Sequence, residues 1–333
     1  MNYLNRRLHF LTTEKVLPLI LGLALITGAC SSDDETDLPA DKLGEFNTKT
    51  LQHDGVERTY HVYLPSNFED ATPTPMVFAL HGGGGTGGNF ESVVSDETLT
   101  EAAESRGMIL IMPDGIDKRW NDGRTEHFGN DKMYDDLGFI SALIDKMIQD
   151  YGVDPERVYS TGISNGGLMS VRLALDLSDK IAAVVPVTAQ ISKAVESIIP
   201  EFPTSIMIIN GTDDPLVPYE GGCIEITVSN GCRGEVLSTQ ESIDKFIGYN
   251  QCSNTATTEP IIDDVSNDGT SVEITSYDNC EQGTEVILVK IIGGGHTWPS
   301  GTQYLPVGIV GRVSKEINAS ELILDFFLSH SRN

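Results

Sequence analysis

Gly162-Ile163-Ser164-Asn165-Gly166 is the one G-x-S-x-G in the chain. On a turn too tight for side chains at the flanking positions, such a serine is pushed into a cleft as a nucleophile. The helix that follows favours the negative charge that develops there. A hydroxyl needs a base, and the base needs a carboxylate to orient it. After a strand-turn-helix nucleophile the chain order is serine, acid, histidine. Of seven histidines only His296 and His330 follow Ser164. His330 lies near the C-terminus in a helical pattern. His296 sits in Gly293-Gly294-Gly295-His296-Thr297-Trp298-Pro299, directly after an apolar run, and is the expected base. The acid is expected in Asn210-Gly211-Thr212-Asp213-Asp214-Pro215, where both aspartates qualify and spacing does not choose between them.

An acyl-transfer site also needs two backbone N–H groups aimed at the developing oxyanion. One is expected from Asn165, the residue after the nucleophile. The other is expected from the loop His81-Gly82-Gly83-Gly84-Gly85-Thr86, with Gly83 and Gly84 as donors. A phosphate-cradling role for that loop is disfavoured because no Walker-type lysine follows it. His81 reads as a structural hydrogen-bonding residue. Trp120 and Trp298, the only tryptophans, are expected to form an aromatic wall for substrate. No metal or cofactor is called for.

The elements that must position these residues alternate. Short apolar runs at 75–80, 108–112, 157–161, 182–187, 205–209 and 286–292 predict strands, and residues 58–64 alternate like an exposed strand. Helical spacing appears at 138–148, 168–177, 243–249 and 320–328. Strands apolar throughout, alternating with helices, predict an α/β fold with a mostly parallel sheet covered on both faces. In such sheets the ligand site lies beyond the carboxyl ends of the strands, where the glycine- and aspartate-rich turns of this chain fall.

Taken jointly, these motifs, with Pro113-Asp114-Gly115 and Asp136-Leu137-Gly138-Phe139, resemble the polyhydroxybutyrate depolymerase and feruloyl esterase family of α/β-hydrolases over residues 46–329. The resemblance implies Ser164 as nucleophile, His296 as base and Asp214 rather than Asp213 as acid. It implies a serine carboxylic-ester hydrolase acting through an acyl-enzyme, on feruloyl or acetyl esters of plant polysaccharide. Polyhydroxyalkanoate oligomers are the alternative substrate. A peptidase of similar fold and a non-catalytic surface binding lipoprotein are the rivals of other classes.

The formal charge is −27, from 22 Lys+Arg against 49 Asp+Glu. That excludes nucleic-acid binding by counterion release and disfavours anionic lipid surfaces and polyanionic substrates, leaving neutral substrates open. A chain of 333 residues can bury a sizeable core. Arg6, Arg7 and Lys15 precede an apolar run at 16–26, too short to span a bilayer, in the layout of a signal peptide. Thr27-Gly28-Ala29-Cys30 resembles a bacterial lipobox, although Thr27 stands where Leu is usual. Ser31-Ser32-Asp33-Asp34-Glu35 resembles the acidic export tag of Bacteroidetes surface lipoproteins. The expected organisation is a signal at 1–29, lipidation at Cys30, an acidic tether over 30–45, and a monomeric catalytic domain over 46–333.

Four further cysteines in an exported chain suggest two disulfides. Cys223 and Cys232 flank a short glycine-containing segment, so a local loop is the simplest pairing and leaves Cys252 with Cys280. The resemblance also supports Cys252–Cys280. Zinc is disfavoured by the absence of CxxC spacing and of a nearby histidine.

Overall fold

The computed structural model describes residues 41–332 apart from 70–71, 126–132, 227–228, 254 and 266. The expected signal sequence, Cys30 and most of the tether lie outside these residues. The tether's expected end does not extend to residue 45. Asp41 already packs on the domain, accepting a hydrogen bond from Tyr151 Oη at 2.5 Å and pairing with Lys49 Nζ at 2.8 Å.

Ten strands form one sheet: Phe46–His53 (β1), Val56–Tyr63 (β2), Thr74–Leu80 (β3), Ile109–Pro113 (β4), Val153–Ile163 (β5), Ala183–Val187 (β6), Ser205–Gly211 (β7), then Ala256–Thr258 (β10), Ser271–Tyr277 (β11) and Val286–Ile292 (β12). Between them, Gly222–Ile226 (β8) and Ser229–Val236 (β9) pair as a separate antiparallel hairpin. The sheet order is β1-β2-β4-β3-β5-β6-β7-β12-β11-β10. The stretch from β4 to β12 is parallel, while β1, β2, β10 and β11 add antiparallel margins.

The helices are Thr98–Arg106 (α1), Asp136–Tyr151 (α2), Asn165–Asp176 (α3), Thr239–Tyr249 (α4), Val307–Val310 (α5) and Ala319–Leu328 (α6). Strand periodicity sends alternate side chains to opposite faces. Met76, Phe78 and Leu80 of β3 join one core with Phe139 and Leu143 of α2 and Met169 of α3. Val77 and Ala79 of the same strand join a second core with Leu99 of α1 and Ile323 and Phe327 of α6. Both faces are therefore covered, which is why β3, β4, β6 and β7 are buried at every position and read as unbroken apolar runs.

The chain leaves β3 toward β4 and returns to β5 on β3's other side. That reversal opens a crevice beyond the carboxyl ends of β3 and β5.

Candidate active site

Ser164 stands between the last residue of β5 and the first of α3, with φ 57° and ψ −120°. A non-glycine residue at positive φ is strained and persists only when its surroundings over-determine it. Here they do. A Cβ on Gly162 would sit 2.6 Å from the Leu80 carbonyl oxygen, and one on Gly166 would sit 2.0 Å from it. The Ser164 N–H is held by the Val187 carbonyl at 3.0 Å. Ser164 lines a cavity of about 420 Å³ that it shares with His296.

The loops that carry His296 and Asp214 leave adjacent parallel strands, β12 and β7, with Ile291 opposite Gly211. Glycines let them close. A Cβ on Gly211 would meet the Gly294 carbonyl oxygen at 2.3 Å, and the Asp213 N–H donates to that same oxygen at 2.9 Å. His296 Nδ1 and Asp214 Oδ2 are 2.7 Å apart, with both side chains almost wholly buried. Asp214 Oδ1 accepts from the Leu216 and Val217 N–H groups at 2.8 and 2.9 Å. Asp213 is exposed and its carboxylate accepts from the Thr212 hydroxyl. The geometry therefore pairs Asp214 with His296. Sequence reasoning missed Tyr304. Its hydroxyl donates to the His296 carbonyl at 2.7 Å, and burial, with Asp214's charge behind it, keeps that phenol protonated far above neutral pH. No spacing signal marks it.

The glycine loop after β3 meets expectation only in part. The Gly84 N–H donates to the Lys118 carbonyl at 2.8 Å, so it is not available to an oxyanion. The Gly83 N–H makes no hydrogen bond among the described residues, and Gly83 lines the cavity. Asn165 supplies one of the first-turn N–H groups that a helix leaves without an internal acceptor. His81 is buried beside them. The Gly115 N–H donates to its Nε2 at 2.9 Å, so Nε2 is the acceptor and Nδ1 carries the proton, donating to the Gly82 carbonyl at 2.8 Å. Burial lowers its pKa and favours that neutral form.

The expected aromatic wall is not formed. Trp120 and Trp298 are both fully buried, and neither lines the cavity. Trp120 Nε1 donates to the His81 carbonyl at 3.0 Å, and its backbone N–H donates to Asn165 Oδ1 at 2.7 Å. Trp298 Nε1 donates to Ser320 Oγ at 3.1 Å, and its ring meets Phe90 edge-on, fastening the His296 loop to α6. Their indoles fill the space beneath converging loops because a large ring with one polar atom can be buried once that atom is bonded. The apolar part of the lining is instead aliphatic, including Val93, Val94, Ile163, Leu168, Leu216 and Ile224, with Tyr304 and Leu305, while Arg124, Glu225 and Arg233 add charged groups.

Both disulfides form as expected, Cys223–Cys232 within the β8–β9 hairpin and Cys252–Cys280 between the segments after α4 and β11. They fit an oxidising compartment. Among the described residues no helix is long and apolar enough to cross a membrane.

The parallel sheet, the strand-turn-helix serine and the crevice define an α/β-hydrolase. A family profile described as "Putative esterase" matches residues 52–195, which hold the glycine loop and Ser164 but end before Asp214. The chain is 28% identical over 258 residues to the "Putative esterase NocK" of Nocardia uniformis subsp. tsuyamanensis, covering 76% of this chain and 74% of the relative. It is 27% identical over 303 residues to feruloyl esterase D of Neurospora crassa, covering 87% and 90%. Among solved structures, a thermostable esterase aligns with TM-score 0.53 at 18% identity, over 86% of this chain and 63% of that one, and bears out the fold. The chain has the α/β-hydrolase fold, is similar to feruloyl esterases over most of its length, and is a carboxylic ester hydrolase.

Proposed function

We propose that the protein hydrolyses esters through a Ser164-His296-Asp214 triad and an acyl-enzyme. The observation that carries this reading is the Asp214–His296 hydrogen bond at the edge of the cavity that Ser164 also lines. Ser164 Oγ attacks the ester carbonyl carbon while His296 Nε2 takes the hydroxyl proton. Asp214 holds the imidazole by Nδ1–H and stabilises the imidazolium. The tetrahedral oxyanion is received by the backbone N–H groups of Asn165 and Gly83. Collapse breaks the carbon–oxygen bond, and His296 gives its proton to the leaving alcohol. Water, deprotonated by His296, then attacks the acyl-enzyme carbonyl, releasing the acid and restoring the serine.

The substrate reading is a feruloyl or acetyl ester of plant polysaccharide. Support comes from the feruloyl esterase relatives and from a largely apolar cavity of about 420 Å³, large enough for an aromatic acyl group. The strongly acidic chain suits a neutral ester. We further propose an exported monomer anchored through Cys30, with a signal at 1–29, a tether after it and the remainder as the catalytic domain.

A panel of chromogenic acetyl, butyryl and feruloyl esters tests the reading, with fluorophosphonate labelling of wild type and Ser164→Ala. Expected are hydrolysis and labelling by wild type and loss of both in the variant. Near-wild-type turnover in Ser164→Ala would sink the mechanism. Release of Cys30→Ser from a membrane fraction that holds the wild type tests the anchor.

A further inference from the structure

The segment 115–124, between β4 and α2, braces both sides of the nucleophile. The Lys118 carbonyl takes the Gly84 N–H, and the Trp120 indole donates to the His81 carbonyl. On the other side the Asn165 side chain is fully engaged. Its Oδ1 accepts from the Trp120 N–H, and its Nδ2 donates to the Trp120 carbonyl at 3.0 Å and to Asp122 Oδ2 at 2.7 Å. These partners fix the amide's orientation, since a backbone N–H can only donate and a carboxylate can only accept.

Asp122 is fully buried, and its charge is met by Arg124. Arg124 Nε donates to Oδ1 at 3.0 Å, and Nη2 donates to Oδ2 at 2.5 Å. Arg124 then reaches a different part of the fold. Its Nη1 donates to the Arg233 carbonyl on β9 at 2.7 Å. The β8–β9 hairpin is closed by Cys223–Cys232 and contributes Ile224, Glu225 and Arg233 to the cavity lining. It rests on Leu168 of α3 through Ile224 and Val236. Gly234, at φ 93°, lets the strand lie over the guanidinium stem, where a Cβ would come 2.7 Å from Arg124 Cδ.

We propose that the Asp122–Arg124 ion pair is a positioning device that couples the substrate-facing hairpin to the oxyanion donor at Asn165. A buried ion pair is weak evidence for stability, because desolvation consumes much of the attraction. What this pair does have is geometry. One carboxylate fixes the residue whose N–H receives the oxyanion, and the guanidinium bound to it seats a wall of the acyl cavity. Lysine has one point charge and cannot reproduce the fork that spans Asp122 and Arg233 together. The hairpin thus sets more than cavity shape. A substrate that displaces it pulls, through Arg124 and Asp122, on the donor that stabilises the transition state.

The inference rests on the serine mechanism above, and its test separates the two. Steady-state kinetics on one aryl ester and inhibition by an aryl boronic acid, whose tetrahedral serine adduct places an oxygen in the oxyanion position, are measured for Asp122→Asn, Arg124→Lys and Gly234→Ala. Asp122→Asn is expected to lower kcat about tenfold or more, with KM within about twofold, and to weaken boronate binding in parallel, because loss of a whole oxyanion donor costs about 10²–10³. Arg124→Lys and Gly234→Ala are expected to lower kcat and also raise KM for a bulky acyl group, through the displaced wall. If Asp122→Asn does not fold, Asp122→Asn with Arg124→Gln leaves no unpaired charge and reads the same quantity. Wild-type kcat and boronate affinity in whichever of these folds, with only Tm lowered, would overturn the coupling. Retained turnover in Ser164→Ala would overturn the serine mechanism and the coupling with it. Lost turnover there beside an unaltered Asp122 variant overturns the coupling alone.

Discussion

His296 Nδ1 stands 2.7 Å from one oxygen of Asp214, and the other oxygen of that carboxylate takes two backbone N–H groups. The carboxylate cannot turn away without breaking both. Asp214→Asn keeps the size but removes the charge and can favour the wrong imidazole tautomer, a change expected to cost about 10⁴ in kcat. Asp213 is exposed and its carboxylate accepts from Thr212 in its own turn. Asp213→Asn is expected to lose less than about tenfold. Measuring kcat/KM for both variants on one ester decides it. The reverse ranking would transfer the acid's role to Asp213.

Trp120 braces the site from below and lies outside the cavity lining, so its effect belongs in kcat. Trp120→Phe keeps a ring but loses the bond to the His81 carbonyl. Expected is a fall in kcat of about tenfold, with KM for an aromatic ester within about twofold. A large rise in KM with kcat intact would restore Trp120 to the substrate wall.

The two disulfides have separate consequences. Chain entropy gives about 3–4 kcal/mol for Cys252–Cys280, which spans 28 residues, and about 2–3 kcal/mol for Cys223–Cys232, which spans 9. Replacing both members of the longer bridge by serine is expected to lower Tm more and leave KM alone. Replacing both members of the shorter one should lower Tm less but raise KM for a bulky acyl ester, because its hairpin lines the cavity. Equal kinetic effects from the two pairs would contradict this division.

Glu91 is half-buried at the start of the segment Glu91–Ser95, which carries Val93 and Val94 into the cavity. Burial raises its pKa from 4.5 to about 7. The folded state therefore holds a proton that the unfolded chain has released between those values. Stability from this group is complete below pH 4.5 and is lost as pH rises through about 7. Glu91→Gln removes the charged form and keeps an acceptor for the Thr100 N–H. Its Tm at pH 8 is expected above that of wild type, by at most about 3 kcal/mol in stability, with the gap closing toward pH 4.5. A gap independent of pH would refute the titration.

The parallel strands were legible because burial on both faces makes continuous apolar runs, as in Thr74–Leu80 and Ser205–Gly211. Of the antiparallel margins only Val56–Tyr63 was, through its alternation at 58–64. Phe46–His53 alternates exposed and half-buried side chains among polar residues, and the helix Thr98–Arg106 is polar and short. Ser164 and His296 were legible from one motif and chain order. Asp122 and Arg124 carried no spacing signal, because their partners Asn165 and Arg233 lie 43 and 109 residues away. The tryptophans were misplaced for a related reason. A loop reads as exposed in sequence, yet loops that converge over one sheet edge bury one another.

Asp214 and His296 leave neighbouring parallel strands, β7 and β12, although 82 residues separate them. The ladder between those strands, not the chain that joins them, holds Asp214 beside His296. The intervening stretch departs and returns at fixed points, and within it lie the stapled hairpin, α4 and the two antiparallel margin strands. Such a stretch behaves as an exchangeable cassette. A recombinant library that swaps it between relatives, joined just after Val217 and just before Val286, would trade cavity walls while keeping the Asp214–His296 pair, with kcat following how well each new hairpin seats Arg124.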